Sequence, residues 1–152
     1  MANLNFKEDL NLSKIGENVV RGFLEKQGGI FINDNDDYKY DLAMTFNGKV
    51  KTYEIKTDFK CAKGFDTGNL FVEYQSRKKP SGISTTEAEW FVTYFIYLDE
   101  LWFIKTSKLR ELLQRNNFPT FLDAGDIDSA THGYLIKRKD FKQYFNVCQI
   151  KT

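Results

Sequence analysis

The chain has few of the residues that build several common kinds of functional site. Its 152 residues include one histidine, His132, which argues against a histidine-based catalytic triad and against a zinc site. The two cysteines, Cys61 and Cys148, lie far apart without metal-ligand spacing, so we expect reduced thiols in a cytosolic protein. No run of 18 apolar residues occurs and the first residues hold no apolar signal core, so neither membrane spanning nor secretion is expected.

An excess of positive charge is also lacking. Lysine and arginine total 22 and are balanced by 21 acidic residues, which gives a formal net charge of +1. This balance argues against a protein that coats nucleic acid without specificity, but it is compatible with a local basic groove. Aromatic residues make up 16% of the chain, which suits strands and base stacking equally.

The order of hydrophobic patterns predicts a single domain of the α+β class. Helical spacing of apolar residues predicts a helix over residues 5–27, with a start as late as Ser13 as an alternative, and Gly28 ends it. A turn cluster at 33–37 and an irregular segment at 118–129 separate the elements. We predict strands at 30–32, 42–46, 50–57, 70–75 and 134–137, an apolar hairpin of 91–98 with 101–105, helices at 106–115 and 140–144, and a short capped helical turn at 85–89. Thr106 or Ser107 is the expected cap of the helix at 106–115.

Two acids and a lysine are expected to meet on one patch of the predicted sheet. Side chains alternate between the faces of a strand, so Glu54 and Lys56 share a face and Ile55 points to the other. The dipeptide Asn47-Gly48 is a strong two-residue hairpin signal. Counting back from this turn places Asp41 level with Glu54, to within about one residue of register.

Such a patch suits a hard divalent cation beside a phosphate. Mg²⁺ takes oxygen ligands in octahedral geometry and keeps several waters, so Asp41, Glu54 and the backbone carbonyl of Ile55 are candidate ligands. Lys56 would orient an attacking water or stabilise charge in the transition state. The alternative is a solvated strand face or a cross-strand salt bridge, which is what acid-x-lysine on a strand commonly forms.

The pattern Asp41, then Glu54-Ile55-Lys56, resembles the PD-(D/E)XK nuclease superfamily, which has the restriction-endonuclease-like fold. The resemblance implies an α/β/α sandwich, a core of helix, mixed but mostly antiparallel sheet and helix over about residues 5–105, followed by a C-terminal elaboration. It assigns Asp41 and Glu54 as the two acids, Lys56 as the lysine, and Glu17 as a helix acid that joins the metal site. Tyr40 stands where the family usually has proline. The implied activity is hydrolysis of phosphodiester bonds in DNA with Mg²⁺, for which Mn²⁺ would substitute.

The resemblance also extends to two groups within the superfamily. The spacing of the four site residues is similar to that of archaeal Holliday junction resolvases. The stretches 68–74 and 79–86 look more like small phage-encoded nucleases, which would act in the host cytoplasm. A resolvase would be a two-fold homodimer, because two active sites must face one junction. Endonuclease action on linear duplex DNA stays open as the alternative.

Further polar residues have both a functional and a plain structural interpretation. Glu73 and Gln75 share a face in the strand pattern after Glu54, so they either complete the metal or water network or form an exposed edge. Ser84, Thr85 and Thr86 follow a glycine at the start of the predicted helical turn, where free amides and hydroxyls bind a phosphate or simply cap a helix.

The lysines and arginines of two loops are the candidate DNA-backbone contacts. Their alternative is a solvated loop with no function. These candidates are Lys60, Lys63, Arg77, Lys78 and Lys79.

Two further classes of function remain open at the sequence level. One is a non-catalytic DNA-binding or interaction domain that retains the nuclease fold, although the intact Glu54-Ile55-Lys56 argues against it. The other is a structural protein in which the acids and the lysine are surface ion pairs worth about 0–1 kcal/mol.

Overall fold

A computed structural model describes residues 6–34, 39–123 and 130–150. The helices are α1 Phe6–Lys26, α2 Thr106–Arg115 and α3 Arg138–Phe141, and 3-10 turns lie at Gly82–Ser84 and Lys142–Tyr144. The strands are β1 Ile30–Asp34, β2 Leu42–Phe46, β3 Lys49–Asp58, β4 Asn69–Ser76, β5 Lys79–Pro80, β6 Trp90–Phe95, β7 Glu100–Lys105, β8 Thr120–Asp123, β9 Thr131–Lys137 and β10 Asn146–Gln149. The predicted α+β class is confirmed. Of the predicted turn cluster, residues 35–37 lie outside the described residues.

The main sheet has six strands in the order β1-β2-β3-β6-β7-β10. Its described pairs are antiparallel except β3 with β6, which run parallel. A parallel pair needs a crossover connection. Here the crossover contains β4, β5 and the 3-10 turn at Gly82–Ser84.

The crossover strands belong to a second sheet of four strands in the order β5-β4-β9-β8. The strand pattern at 70–75 is therefore confirmed as a strand, but it lies in this second sheet. The C-terminal third, expected as an elaboration, supplies β8 and β9 to the second sheet and β10 to the edge of the main sheet.

Two hydrophobic cores lie on opposite faces of the main sheet. On one face, Val20 and Leu24 of α1 pack with Leu42, Ile55 and neighbouring side chains. On the other face, α2 and the second sheet pack together, because Leu109 and Leu112 share a cluster with buried side chains of β4, β6 and β9. This is the expected helix-sheet-helix layering, with the second sheet added to the α2 side.

Helix α1 is fixed by a close contact with β3 and by a capping motif at its C-terminal end. It is continuous from Phe6, so the alternative start at Ser13 is wrong. A Cβ on Gly16 would lie 2.1 Å from Thr57 Oγ1, so only glycine lets the helix approach β3 this closely. At the end, Gly28 adopts a φ of 94° and the Gly29 amide donates to the Leu24 carbonyl at 3.0 Å, which is the Schellman arrangement.

The two predicted hairpins and the helix at 106–115 are confirmed. Three local predictions are wrong. The helical turn lies at Gly82–Ser84 instead of 85–89, β8 occupies part of the segment predicted as irregular, and the cap of α2 is Lys105 without a side-chain hydrogen bond. In the part of the chain that the structure describes, no helix is long and apolar enough to cross a membrane.

Candidate functional site

The β2–β3 hairpin places Asp41 beside Glu54. Asn47 and Gly48 both have positive φ, of 51° and 81°, and Leu42 pairs with Tyr53. The next position out therefore sets Asp41 opposite Glu54, as predicted. The Asp41 amide donates to the Tyr53 carbonyl at 2.9 Å, and the Ile55 amide donates to Asp41 Oδ2 at 2.7 Å. The Asp41 carboxylate is therefore anchored on the backbone of β3.

Glu54 and Lys56 face the second sheet, while Ile55 is buried against α1. Lys56 Nζ lies 3.5 Å from Glu54 Oε2 and 3.6 Å from Glu73 Oε2. Glu73 comes from β4, so the site lies where the main sheet and the second sheet meet. The lysine bridges an acid of its own strand and an acid of the crossover.

The two neighbouring carboxyl groups disturb each other's ionisation. Burial and then the charge of Asp41 raise the pKa of Glu54 to about 7. Burial also raises the pKa of Asp41, although the Ile55 amide, Lys56 and a hydrogen bond with Glu54 oppose the rise. Burial and the neighbouring charge of Asp41 therefore favour the protonated form of Glu54 more than is usual for a glutamate.

Nearby negative charges keep Lys56 positively charged. Burial disfavours the ammonium, but the carboxylates of Glu73, Glu54 and Asp41 outweigh this effect and raise the pKa of Lys56. Its side chain is 32% exposed, so the ammonium is still reachable from solvent. The Lys56 ammonium is therefore a charged hydrogen-bond donor that lies beside Glu54 and Asp41 and is reachable from solvent.

Glu17 projects from α1 towards the same region. Burial and then the charge of Asp41 raise its pKa, while Lys14, whose Nζ is 3.4 Å away, opposes the rise. Lys14 also contacts Asp34 Oδ2 at 3.2 Å. The structure thus brings Glu17 within the electrostatic range of Asp41 but ties it to Lys14.

Thr86 belongs to the cluster as a partner of Glu54, whereas the sequence suggests it only as a phosphate contact or a helix cap. Its hydroxyl hydrogen-bonds Glu54 and lowers the pKa of that acid, against the effect of burial. It also lies 3.3 Å from the Lys39 carbonyl and accepts from the Ala88 amide at 3.1 Å. A threonine just before a buried strand is the only available signal, and the same pattern predicts a helix cap.

The loop that carries Thr86 is fixed from two sides. Arg110 of α2 donates through Nη2 to the Ile83 carbonyl at 3.0 Å and to the Thr86 carbonyl at 2.8 Å. On the other side, a Cβ on Gly82 would lie 2.3 Å from the Glu73 carbonyl oxygen, so the 3-10 turn lies directly against β4. The loop therefore holds Thr86 over Glu54 and packs behind Glu73.

Ser84 and Thr85 do not form the predicted phosphate site at a helix start. The 3-10 turn ends at Ser84, and the Ser84 hydroxyl donates to the Tyr74 carbonyl at 2.8 Å. No helix begins after Thr85, and the Glu87 amide donates to the Lys39 carbonyl at 2.8 Å. The hypothesis of a helix N-terminus at this position is wrong.

The remaining polar candidate of β4 lies apart from the cluster. A bulge shifts the register of β4 between Glu73 and Gln75, so the alternation that put both on one face is interrupted. Among the described residues, no hydrogen bond joins Gln75 to the cluster.

The basic candidates lie at the two ends of β4. Lys60 is in the loop before β4 and is paired with Asp123 Oδ2 at 2.9 Å, while Lys63 in the same loop is exposed. Arg77 and Lys78 form the exposed turn after β4, with φ of 53° and 64°, and Lys79 begins β5. The two groups therefore flank Glu73 along the strand.

The donor set at this site consists of oxygens only. In residues 6–34, 39–123 and 130–150, no group of three or more histidine, cysteine, aspartate or glutamate side chains could hold a metal ion. Mg²⁺ is commonly bound through only one or two carboxylates together with waters and substrate phosphates, and Asp41 and Glu54 provide two. A scan of protein-family models and searches of curated proteins and of solved structures find no match to this chain. The site is therefore judged on its own geometry.

Proposed function

We propose that this protein is a divalent-metal-dependent nuclease that hydrolyses phosphodiester bonds in DNA. The observation that carries the proposal is the meeting of Asp41, Glu54 and Lys56 at one point, where a buried acid and a half-buried acid adjoin a charged, partly exposed lysine. The resemblance to the PD-(D/E)XK superfamily supports it, since it assigns these same three residues. Glu17 is the fourth member of the proposed site.

The residues fit a Mg²⁺ or Mn²⁺ ion. Two adjacent carboxyl groups repel each other once both are ionised, and a cation relieves that repulsion. Asp41 and Glu54 would hold the ion together with the Ile55 carbonyl, and Glu17 would assist directly or through water. When bound, the ion would polarise the phosphate and lower the pKa of a bound water.

The remaining residues position the reactive groups. Lys56 orients the attacking water or stabilises the charge that develops on the phosphate, as its exposed ammonium can donate to either. Glu73 limits the positions of that ammonium. Thr86 holds the Glu54 carboxyl in place, and Arg110 holds Thr86. Attack in line with the leaving oxygen needs no covalent intermediate on this chain.

The partner, the substrate class and the location of the protein follow from the same proposal. DNA is the partner, and branched DNA such as a Holliday junction is the favoured substrate class if the protein forms a two-fold homodimer. The cytoplasm is the inferred location, which is the host cytoplasm if a phage encodes the chain. Both cysteines are free thiols, as a reducing compartment requires.

Cleavage of a panel of linear, nicked, flapped and four-way DNA with Mg²⁺ or Mn²⁺ tests the proposal. We expect Lys56→Ala to slow cleavage by about 10²–10³-fold, which is typical of losing one charge-stabilising donor. Lys49→Ala is the matched control, because Lys49 is an exposed lysine at the far end of the same strand. Absence of cleavage of every substrate, or full activity of Lys56→Ala, would refute the proposal.

The second candidate is a non-catalytic DNA-binding domain of the same fold. The ion pairs of Lys56 with Glu54 and Glu73 favour it, because they neutralise the acids without a cation. Calorimetric titration separates the two functions. A nuclease should bind Mg²⁺ or Mn²⁺ and lose that binding in Asp41→Asn, while a binding domain should show no such site.

A further inference from the structure

The loop between β3 and β4 presents an isolated aromatic side chain to solvent. Phe65 is 83% exposed, more than any other large hydrophobic residue among the described part of the chain. Its neighbours Lys63, Gly64, Asp66 and Thr67 are exposed as well, so the apolar surface of this loop is a single ring. A single exposed ring is ordinary on a protein surface, so the residues around Phe65 decide whether it can contact a partner.

The loop is held in place at both ends. Asp58 Oδ1 accepts from the amides of Lys60 at 2.8 Å and Cys61 at 2.9 Å. At the other end, Asp66 Oδ1 accepts from the Gly68 amide at 2.9 Å and is paired with the Arg138 guanidinium. Phe65 therefore lies in a loop whose two ends are fixed by hydrogen bonds and an ion pair.

Three exposed lysines lie in this loop or beside it. The Arg138 amide donates to the Gly68 carbonyl at 2.9 Å, so exposed Lys137 and Lys139 lie beside the loop. In the part of the chain that the structure describes, no carboxylate lies within 4.0 Å of the ammonium of Lys63, Lys137 or Lys139. Three lysines without acidic partners beside an exposed ring form a surface that suits a nucleic acid more than a protein interface, whose core is depleted of lysine.

The loop also lies at a defined distance from the acid-lysine cluster. It begins after Asp58, two residues beyond Lys56, and ends at Asn69, four residues before Glu73. At about 3.3 Å per strand residue, these separations are about 7 and 13 Å.

We propose that Phe65 stacks on an unpaired base of DNA whose scissile phosphate lies at Asp41, Glu54 and Lys56, while Lys63, Lys137 and Lys139 contact the flanking backbone. This inference rests on the proposed nuclease function and specifies its substrate, which is DNA with unpaired bases near the cut. Aromatic stacking accepts any base, so the contact selects structure over sequence.

DNA binding in a chelator tests the inference apart from cleavage. The probes are a single-stranded oligonucleotide of mixed sequence and a fully paired duplex of the same sequence, followed by fluorescence anisotropy. We expect Phe65→Ala to weaken binding of the single strand by about 5- to 150-fold and Phe65→Trp to retain it. Duplex affinity should change little. Val50→Ala is the control, since Val50 is 61% exposed beside the β2–β3 turn and should leave both affinities unchanged.

The lysines give an independent readout of the same surface. Replacing Lys63 and Lys137 together with alanine should reduce the salt dependence of single-strand binding, by about 0.7 in logarithmic slope for each phosphate that the variant no longer neutralises. Circular dichroism melts of each variant confirm that these exposed substitutions leave the fold intact.

The outcomes separate this inference from the proposed function. If wild-type protein cleaves DNA while Phe65→Ala binds the single strand as tightly as wild type, the inference fails and the nuclease stands. If Phe65 is needed for single-strand binding but no DNA is cleaved, the stacking surface stands and the nuclease fails. A change of oligomeric state in Phe65→Ala on sedimentation, with unchanged DNA affinity, assigns the ring to a protein contact and overturns the inference.

Discussion

Replacing Glu54 with glutamine should remove a pH-dependent loss of stability from the wild-type protein. The pKa of Glu54 moves from 4.5 to about 7 in the folded state, chiefly because the group is buried. A tenfold change in proton affinity corresponds to about 1.4 kcal/mol, so this shift corresponds to about 3 kcal/mol. Glutamine is neutral at every pH and keeps the shape and hydrogen-bonding capacity of the protonated acid.

The direction of the effect follows from where the proton is bound. Between pH 4.5 and about 7 the folded protein keeps the proton on Glu54, whereas the unfolded chain has lost it. Unfolding therefore releases a proton, and the free energy of unfolding falls as the pH rises through this window. The stabilisation is complete below pH 4.5 and is lost above about pH 7. Relative to wild type, Glu54→Gln should gain about 3 kcal/mol across the window.

Urea unfolding in a chelator, followed by tryptophan fluorescence from pH 4.5 to about 8, measures this difference at constant m-value. Glu87→Gln removes an exposed carboxylate from the same loop region and serves as the control. Parallel pH profiles for wild type and Glu54→Gln would refute the interpretation that burial and Asp41 raise the pKa of Glu54 in the folded state. Adding Mg²⁺ near pH 8 should then stabilise wild type but not Glu54→Gln, because a cation replaces the proton at the pair.

Three further predictions concern the residues around the pair. Gly82→Ala should cost about 2–3 kcal/mol in urea unfolding, because φ is 54° and the added Cβ meets the Glu73 carbonyl, whereas Gly64→Ala should cost only about 1–2 kcal/mol, since its Cβ meets nothing within 4 Å. Arg110→Met should cost about 1–3 kcal/mol and speed hydrogen exchange of the amides at 82–87, because methionine has no donor for the two carbonyls; exchange equal to wild type would contradict this. Thr86→Val should raise the pKa of Glu54 further, as measured by NMR titration, and Thr86→Ser should restore it; an unchanged titration in Thr86→Val would show that the hydroxyl does not act on the acid.

The juxtaposition of Asp41 and Glu54 could be predicted because it depends on local geometry. A two-residue turn fixes the register of its hairpin, and Asn47-Gly48 identifies that turn without knowledge of the rest of the chain. Helix α1 and the β6–β7 hairpin could be predicted equally well, because apolar residues recur at a regular spacing along each of them.

The contacts of Glu73 and Thr86 could not be predicted in the same way. Glu73 reaches Lys56 because β4 pairs with β9 in a separate sheet, and that pairing joins residues such as Ser76 and Thr131 that are 55 apart in sequence. Thr86 reaches Glu54 because remote Arg110 fixes its loop. Hydrophobic periodicity and turn motifs in the sequence carry no information on such long-range pairings.

The pairing of β4 with β9 also has a consequence for synthesis on the ribosome. The four site residues Asp41, Glu54, Lys56 and Glu73 are synthesised well before β9, the strand that flanks β4 along its whole length. Contacts between segments distant in sequence form late and slowly. The acid-lysine cluster should therefore reach its final arrangement only after β9 has left the exit tunnel, so a nascent chain that ends before β9 would lack that arrangement.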